Sequence, residues 1–242
     1  MIKTFYRLKD RFEEWMRYPQ PSYAQKKLLG LYTDVVDTDF TATRLASETT
    51  ADYIVNNMRA VPNFATDYDF HDWIARTQTS GSGLVLEFGV ATGRTLNHFG
   101  RIFDRQVVHG FDSFEGLPED WTSRMPKGFF KRSSLPKVRD NCKLHVGWFD
   151  ETLPPFKKEI KDQPIQLLHI DSDLYSSAVT ILTTLKKNIV PGTVIVFDEY
   201  FNYPGWQLDE FRAWQEFVAK NAIKYEYIGY VSRHQKVAVR VK

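Results

Sequence analysis

The chain of 242 residues holds a single cysteine, Cys142. One cysteine excludes an intramolecular disulfide and a thiolate metal cluster, so the fold must hold without covalent staples and any metal must be bound through oxygen or imidazole. A reducing, cytoplasmic setting is the expectation. Charge of one sign is not in excess either: 32 Lys and Arg against 30 Asp and Glu leave a formal net charge of +2. That balance gives no global basic field for holding a nucleic acid by phosphate neutralisation. No apolar run approaches the roughly 18 residues of a membrane span, and the N-terminal MIKTFYRLKDRFEEW breaks its apolar positions with charges, unlike a secretory signal. Internal repeats, low-complexity tracts and long Pro/Gly/Ser linkers are lacking as well, which favours one domain with a sizeable core.

What is present is a change of texture near residue 80. Upstream, Phe5, Leu8, Phe12, Trp15 and Met16 recur at helix spacing, a polar stretch over 38–50 precedes a helix carrying Tyr53, Ile54 and Met58, and 69–77 reads as a short helix. Downstream of Ser80-Gly81-Ser82-Gly83, apolar runs suited to buried parallel strands occur at Leu84–Phe88, 107–111, 144–147, Ile165–Ile170 and 193–197. Helical stretches at 94–103, 176–188 and 208–220 lie among them, and Tyr225–Val231 with 236–241 reads as an antiparallel hairpin. The expected fold is α/β, a Rossmann-like doubly wound sheet of seven strands over residues 81–242, with residues 1–80 as a helical extension or cap. Ligands of such sheets bind beyond the carboxyl ends of the strands, where strand order reverses.

The first strand runs into Glu87-Phe88-Gly89-Val90-Ala91-Thr92-Gly93-Arg94-Thr95. Gly89 and Gly93 allow a tight turn and close approach of a ligand to the backbone. Ala91 stands where the dinucleotide fingerprint needs its second glycine, which disfavours a pyrophosphate cradle and with it a nicotinamide-dependent oxidoreductase, the alternative in another class. Asp112 follows Gly89 at close to the roughly 20-residue offset at which an acid accepts ribose hydroxyls. A ribose, a tight turn and the acidic Glu87, suited to a cation, together describe S-adenosylmethionine.

The strings LEFGVATGRT, GFDSFEGLPEDW, VGWFDETLP, LLHIDSDLYSS and GTVIVFDEY occur in this order. Over residues 84 to 215 the chain resembles class I S-adenosylmethionine-dependent methyltransferases of the macrocin O-methyltransferase (TylF-like) family. The resemblance implies that Glu87, Gly89 and Gly93, with Phe88, Val90 and Thr95 beside them, surround the methionine part. It further implies that Asp112 holds the ribose, that Ser113 and Phe114 flank the adenosine, and that Gly147, Trp148, Phe149 and Asp150 line the adenine. Trp148 and Phe149 also suit a flat apolar wall for a purine in their own right.

Asp171 and Asp173 follow the fourth of these strands, and Asp198 and Glu199 the fifth. Asp171, Asp198 and Glu199 are expected to converge, and three close carboxylates call for a cation. Hard oxygen donors of this kind suit Mg²⁺, and the resemblance implies the same metal trio. Asp171, which would also face the cofactor, is the first choice of catalytic base and Asp173 the second; Asp173 also fits a helix cap. Leu174 stands where related catechol methyltransferases carry a lysine, which argues against their mechanism being carried over whole, though a phenolic acceptor stays an alternative. The expected activity is Mg-assisted O-methylation of a sugar or glycosylated small-molecule natural product; the sugar rests on the resemblance alone.

Three further features invite a role. The stretch 124–139 carries Arg124, Lys127, Lys131, Arg132, Lys137 and Arg139 and no acid before Arg139, which reads as a solvated insertion or as a lid meeting an anionic group of the acceptor. Tyr200, Phe201, Asn202, Tyr203 and Trp206 are expected to wall the acceptor pocket. The amphipathic N-terminal helix, with Lys3, Arg7, Lys9, Arg11 and Arg17 diluted by Asp10, Glu13 and Glu14, suits packing on the body or in a homodimer better than a membrane surface. His169 reads as a core residue and His234 as an exposed one.

Overall fold

A computed structural model describes residues 37–79 and 81–242. The helix expected around Phe5 to Met16 and residues 1–36 of the extension or cap expected over 1–80 lie outside the described residues. Compactness divides the chain into Met1–Leu45 and Ala46–Lys242. In the first unit Asp37 Oδ1 accepts the N–H groups of Asp39 (2.8 Å) and Phe40 (3.3 Å). This N-cap starts helix α1 (Thr38–Asn57) well before Tyr53, so the stretch read as a polar lead-in is itself helical.

The second unit is built on an eight-stranded sheet: β1 (Asn63–Phe64), β2 (Leu84–Phe88), β3 (Val108–Asp112), β4 (Cys142–Val146), β5 (Ile165–Ile170), β6 (Val194–Phe197), β7 (Tyr225–Val231) and β8 (Val237–Val241). Their spatial order is β1-β7-β8-β6-β5-β2-β3-β4. Strands β2 to β6 are parallel, β8 runs antiparallel to both β6 and β7, and β1 lies parallel to β7 at one edge. The seven expected strands are thus joined by an eighth of two residues, while β4 at the opposite edge starts two residues earlier than the apolar run suggests. Every residue of β2, β5 and β6 is buried, as strands covered by helices on both faces must be.

Helices α2 (Asp67–Trp73), α3 (Arg94–Ile102), α4 (Phe149–Ile160), α5 (Tyr175–Thr184) and α6 (Glu210–Asn221) supply that cover. The stretch 46–79, set apart from the core in the sequence reading, contributes β1 and buries Phe70 and Ile74 against the sheet. Helix α4 is not foreshadowed, because Pro154 and Pro155 lie inside it and proline is a strong helix breaker. Leu153, Phe156 and Ile160 nevertheless share one buried face, and the Glu151 carboxylate accepts the N–H of Trp148 at the helix start (3.4 Å). None of the described helices is long and apolar enough to cross a membrane. From β2 the chain moves outward to β3 and β4, then returns to place β5 on the other side of β2. The carboxyl ends of β2 and β5 therefore flank the point of strand-order reversal, where a crevice is expected.

Candidate active site

A cavity of about 690 Å³ opens at those strand ends, within the size range of small-molecule sites. Gly89, Ala91 and Asp112 line its first part. Asp112 Oδ2 accepts the N–H groups of Val90 and Ala91, both at 2.8 Å, and Oδ1 accepts that of Phe114 at 2.6 Å. The carboxylate so clamps the turn after β2, and Oδ1, holding one bond, keeps acceptor capacity for a hydroxyl in the cavity. Gly89 has φ +89°, and a Cβ on it would come within 1.7 Å of the Asp171 carbonyl oxygen. Only glycine fits there.

Ser113, Trp148, Phe149 and Asp150 form the second part. Phe149 stands edge-on to Phe88 (5.3 Å, 88°), and Phe88 stacks on Phe111 (4.6 Å, 11°), so Phe88 braces the wall from behind and does not line it. Gly147 donates its N–H to the Asp112 carbonyl (3.0 Å). Gly93 caps α3 at φ +75°, Val90 and Phe114 are buried, and neither these four nor Thr95 lines the cavity.

Glu87 departs from expectation more sharply. It pairs in register with His169, is 1% exposed, and its Oε2 lies 3.8 Å from His169 Nδ1. Burial raises its pKa, and it faces the interior of the sheet layer instead of the cavity.

The acids at the far end separate into two groups. Asp171, Asp173 and Glu199 line the cavity, and each offers a carboxylate oxygen within 4.8 Å of the others. Glu199 Oε2 is buried without a hydrogen-bond partner. Burial, and then repulsion from neighbouring acids including Asp198, lifts all three, Asp171 and Glu199 well above the carboxylate range and Asp173 to about 7. Asp173 holds a left-handed backbone, φ +60°, and does not cap α5, whose N-cap is Leu174 without a side-chain bond.

Asp198 does not join them. One of its oxygens takes the ammonium of Lys236, and the other lies 3.3 Å from His169 Nε2. Against the effect of burial, His169 and Lys236 hold Asp198 well below the carboxylate range, while His169, also against burial, is pushed up to about 10 by Asp198 and Glu87. Of the three acids expected to converge, Asp171 and Glu199 meet at the cavity together with Asp173, whereas Asp198 is engaged by Lys236 and His169. What separates Asp198 from Asp171 is its partners, Lys236 and His169, since strand parity puts both acids in phase with His169. Side chains two apart share a face, and the registers Glu87↔His169 and His169↔Val196 put Asp198 on the face of His169 and Glu87. Glu199 follows on the other face.

Leu117, Pro118, Lys127 and Phe130 from the β3–β4 connection, and Ser176, Ser177 and Thr180 from α5, complete the walls. The basic connection is tied down: Leu117 and Phe129, Gly128 and Leu117, and Arg132 and Phe114 are joined by backbone bonds of 2.9 to 3.0 Å, and Lys131 pairs with Glu115. Tyr200, Phe201 and Trp206 are buried, and none of the five residues expected to wall the acceptor pocket lines the cavity. Tyr200 instead meets the Tyr227 hydroxyl at 2.7 Å.

The sequence reading passed over Glu210 at the start of α6. Its side chain is fully buried, and it accepts from Ser172 N (3.1 Å), Ser172 Oγ (3.3 Å) and Glu199 N (3.2 Å). Burial pushes its pKa up to about 8. The one available signal was the Asp-Glu pair at the head of a helix.

Residues 86–200 match the family described as Methyltransferase domain. No curated protein matches the chain in sequence. Among solved structures, CalS11, a calicheamicin methyltransferase, is similar over 93% of this chain and 95% of its own, with TM-score 0.60 and 20% identity; it is also described as a TDP-rhamnose 3'-O-methyltransferase. The O-methyltransferase NovP is similar over 72% of this chain and 76% of its own (TM-score 0.53, 20% identity). An O-methyltransferase from Bacillus cereus in complex with SAH covers 84% of this chain and 91% of its own (TM-score 0.51, 17% identity). The fold is that of the Rossmann-like α/β methyltransferases.

Proposed function

We propose that the protein is a class I S-adenosylmethionine-dependent O-methyltransferase of the TylF-like kind, acting with Mg²⁺ on a hydroxyl of a sugar or glycosylated small-molecule natural product. The carrying observation is one cavity with an Asp112-clamped turn and aromatic wall at one end and the Asp171, Asp173 and Glu199 carboxylates at the other. The match over residues 86–200 supports methyl transfer, and the TDP-rhamnose acceptor of CalS11 supports the sugar.

Asp112 would take a ribose hydroxyl on Oδ1, Trp148 and Phe149 the purine face, and Asp150 its polar edge. The donor set fits a hard divalent cation: three oxygen ligands, one with an unpartnered buried atom. Asp171, Asp173 and Glu199 would hold it, and when bound it would lower the pKa of a coordinated hydroxyl and fix its direction. Asp171, or Asp173 as second choice, would take the proton as the hydroxyl oxygen forms its bond to the methyl carbon and the sulfonium's carbon–sulfur bond breaks.

Isothermal titration with S-adenosylhomocysteine and with NAD⁺, followed by radiolabelled methyl transfer to a panel of nucleotide sugars, glycosides and catechols with Mg²⁺ or EDTA, tests this. Binding of S-adenosylhomocysteine alone and EDTA-sensitive labelling of a sugar are expected. Preferential NAD⁺ binding would end the methyltransferase reading, full turnover in EDTA the metal reading, and labelling confined to catechols the sugar reading.

A further inference from the structure

Glu210 is a fully buried carboxylate that none of the roles above requires. Among the described residues it has no cationic partner. Its Oε1 receives both donors of Ser172, the residue between Asp171 and Asp173, and its Oε2 receives the N–H of Glu199. The two loops that carry the cavity's acids, one after β5 and one after β6, therefore meet on this single side chain of α6.

The residue type follows from the donors. Three N–H or O–H groups converge, and a carboxylate accepts on both oxygens, whereas glutamine would turn an NH₂ group against one of the N–H donors. A neutral scaffold would still be cheaper, because a fourth acid beside Asp171, Asp173 and Glu199 adds repulsion to a buried cluster. The loop after β5 also needs holding. Asp173 keeps φ +60°, a conformation that persists in a non-glycine residue only when its surroundings fix it. On its other side, Asp171 donates its N–H to the Phe88 carbonyl (2.8 Å) and packs its own carbonyl on Gly89. Asp171 is thus fixed from the cofactor turn, and the Ser172–Asp173 segment from α6.

We infer that Glu210 is a positioning residue that sets the separation of Asp171 and Asp173 from Glu199 and so makes the three a single cation site. The inference rests on the metal reading for its purpose, though the geometry it assigns to Glu210 is separate from it.

The test compares wild type, E210Q and E210A by Mn²⁺ titration, S-adenosylhomocysteine titration and amide hydrogen exchange. Mn²⁺ affinity is expected to fall tenfold or more in both variants, with faster exchange at Ser172 and Glu199, while S-adenosylhomocysteine affinity stays within about threefold of wild type. A loss confined to thermal stability, with Mn²⁺ affinity and both amides unchanged in a folded variant, overturns the inference. If E210A does not fold, the isosteric E210Q decides by the same criteria. If wild type itself takes no Mn²⁺, the metal reading fails, and exchange alone judges Glu210: exposure of the Ser172 and Glu199 amides supports it, and unchanged protection refutes it.

Discussion

Lys236, from the turn of the terminal hairpin just before β8, places its ammonium on the carboxylate of Asp198, 38 residues earlier in the chain. The side chain is 7% exposed and that of Asp198 12%, so this is an interior ion pair. It separates two adjacent acids by their surroundings, since Glu199, next in sequence, presents an unpartnered oxygen in the cavity region.

The division can be measured. Asp198→Asn removes one partner of a buried pair and should cost about 3 to 5 kcal/mol in denaturant unfolding. Glu199→Gln removes one of three mutually repelling acids, so it should leave stability unchanged or raised while Mn²⁺ binding is lost. The reverse pattern would restore Asp198 to the metal trio.

Metal should also be visible as stability. A ligand bound only by the folded chain adds about 2.7 kcal/mol at a hundredfold excess over its Kd, so Mg²⁺ or Mn²⁺ should raise Tm in wild type. The increment should vanish in Asp171→Asn and Glu199→Gln, and a Tm indifferent to divalent ions in wild type would contradict the site.

Gly89→Ala meets the Asp171 carbonyl at 1.7 Å, whereas a Cβ on Gly192, at φ +95°, meets nothing within 4 Å. Both substitutions carry backbone strain of order 1–2 kcal/mol. Only Gly89→Ala should also weaken S-adenosylhomocysteine binding, by about a hundredfold or more in a titration, because the turn and the Asp171 loop cannot both keep their places. Equal affinities in the two variants would show that the contact is not needed.

His109 and His145 touch through Nδ1 and Nε2 at 3.0 Å. Burial first, and then the charges of His145 and Lys143, lower His109 to about 4, and burial and then Lys143 lower His145 to about 4. Their unfolded values lie near 6.5, so between about pH 6.5 and 4 the unfolded chain binds more protons than the folded one. Stability from this pair is complete above pH 6.5 and is lost as pH falls through that window. The drop in Tm from pH 7 to 5 should shrink in a His109→Phe, His145→Phe double variant; an undiminished drop would place the acid sensitivity elsewhere.

Much of the fold was legible because β2, β5 and β6 are mostly apolar runs buried on both faces and the punctuation by Gly89 and Gly93 is local. Asp112 was legible as a residue of the crevice from its fixed distance past that turn, whereas its clamp on the turn was not foreseen. What escaped depends on partners remote in sequence. Nothing within β6 announces Lys236, although strand parity alone would have separated Asp198 from Glu199. Helix α4 was hidden because Pro154 and Pro155 outweigh in propensity what Leu153, Phe156 and Ile160 recover in packing. Tyr200 and Phe201 read as pocket walls because aromatic residues suit pockets and cores equally, and only the tertiary fold distinguishes the two. Asp37 illustrates the opposite case, since its capping role was present in the sequence and was passed over.

The two-residue strand β1 bears on how copies of this protein can meet. A sheet ending in a long, bare strand invites another chain to continue its ladder of hydrogen bonds. Here β1 takes Tyr230 and Val231 of β7 as partners and then stops, while at the opposite edge β4 is five residues long and bears the exposed Lys143. Among the described residues, neither margin offers a flat apolar template. Growth by strand addition, the common route to fibres, is thereby discouraged at these two margins.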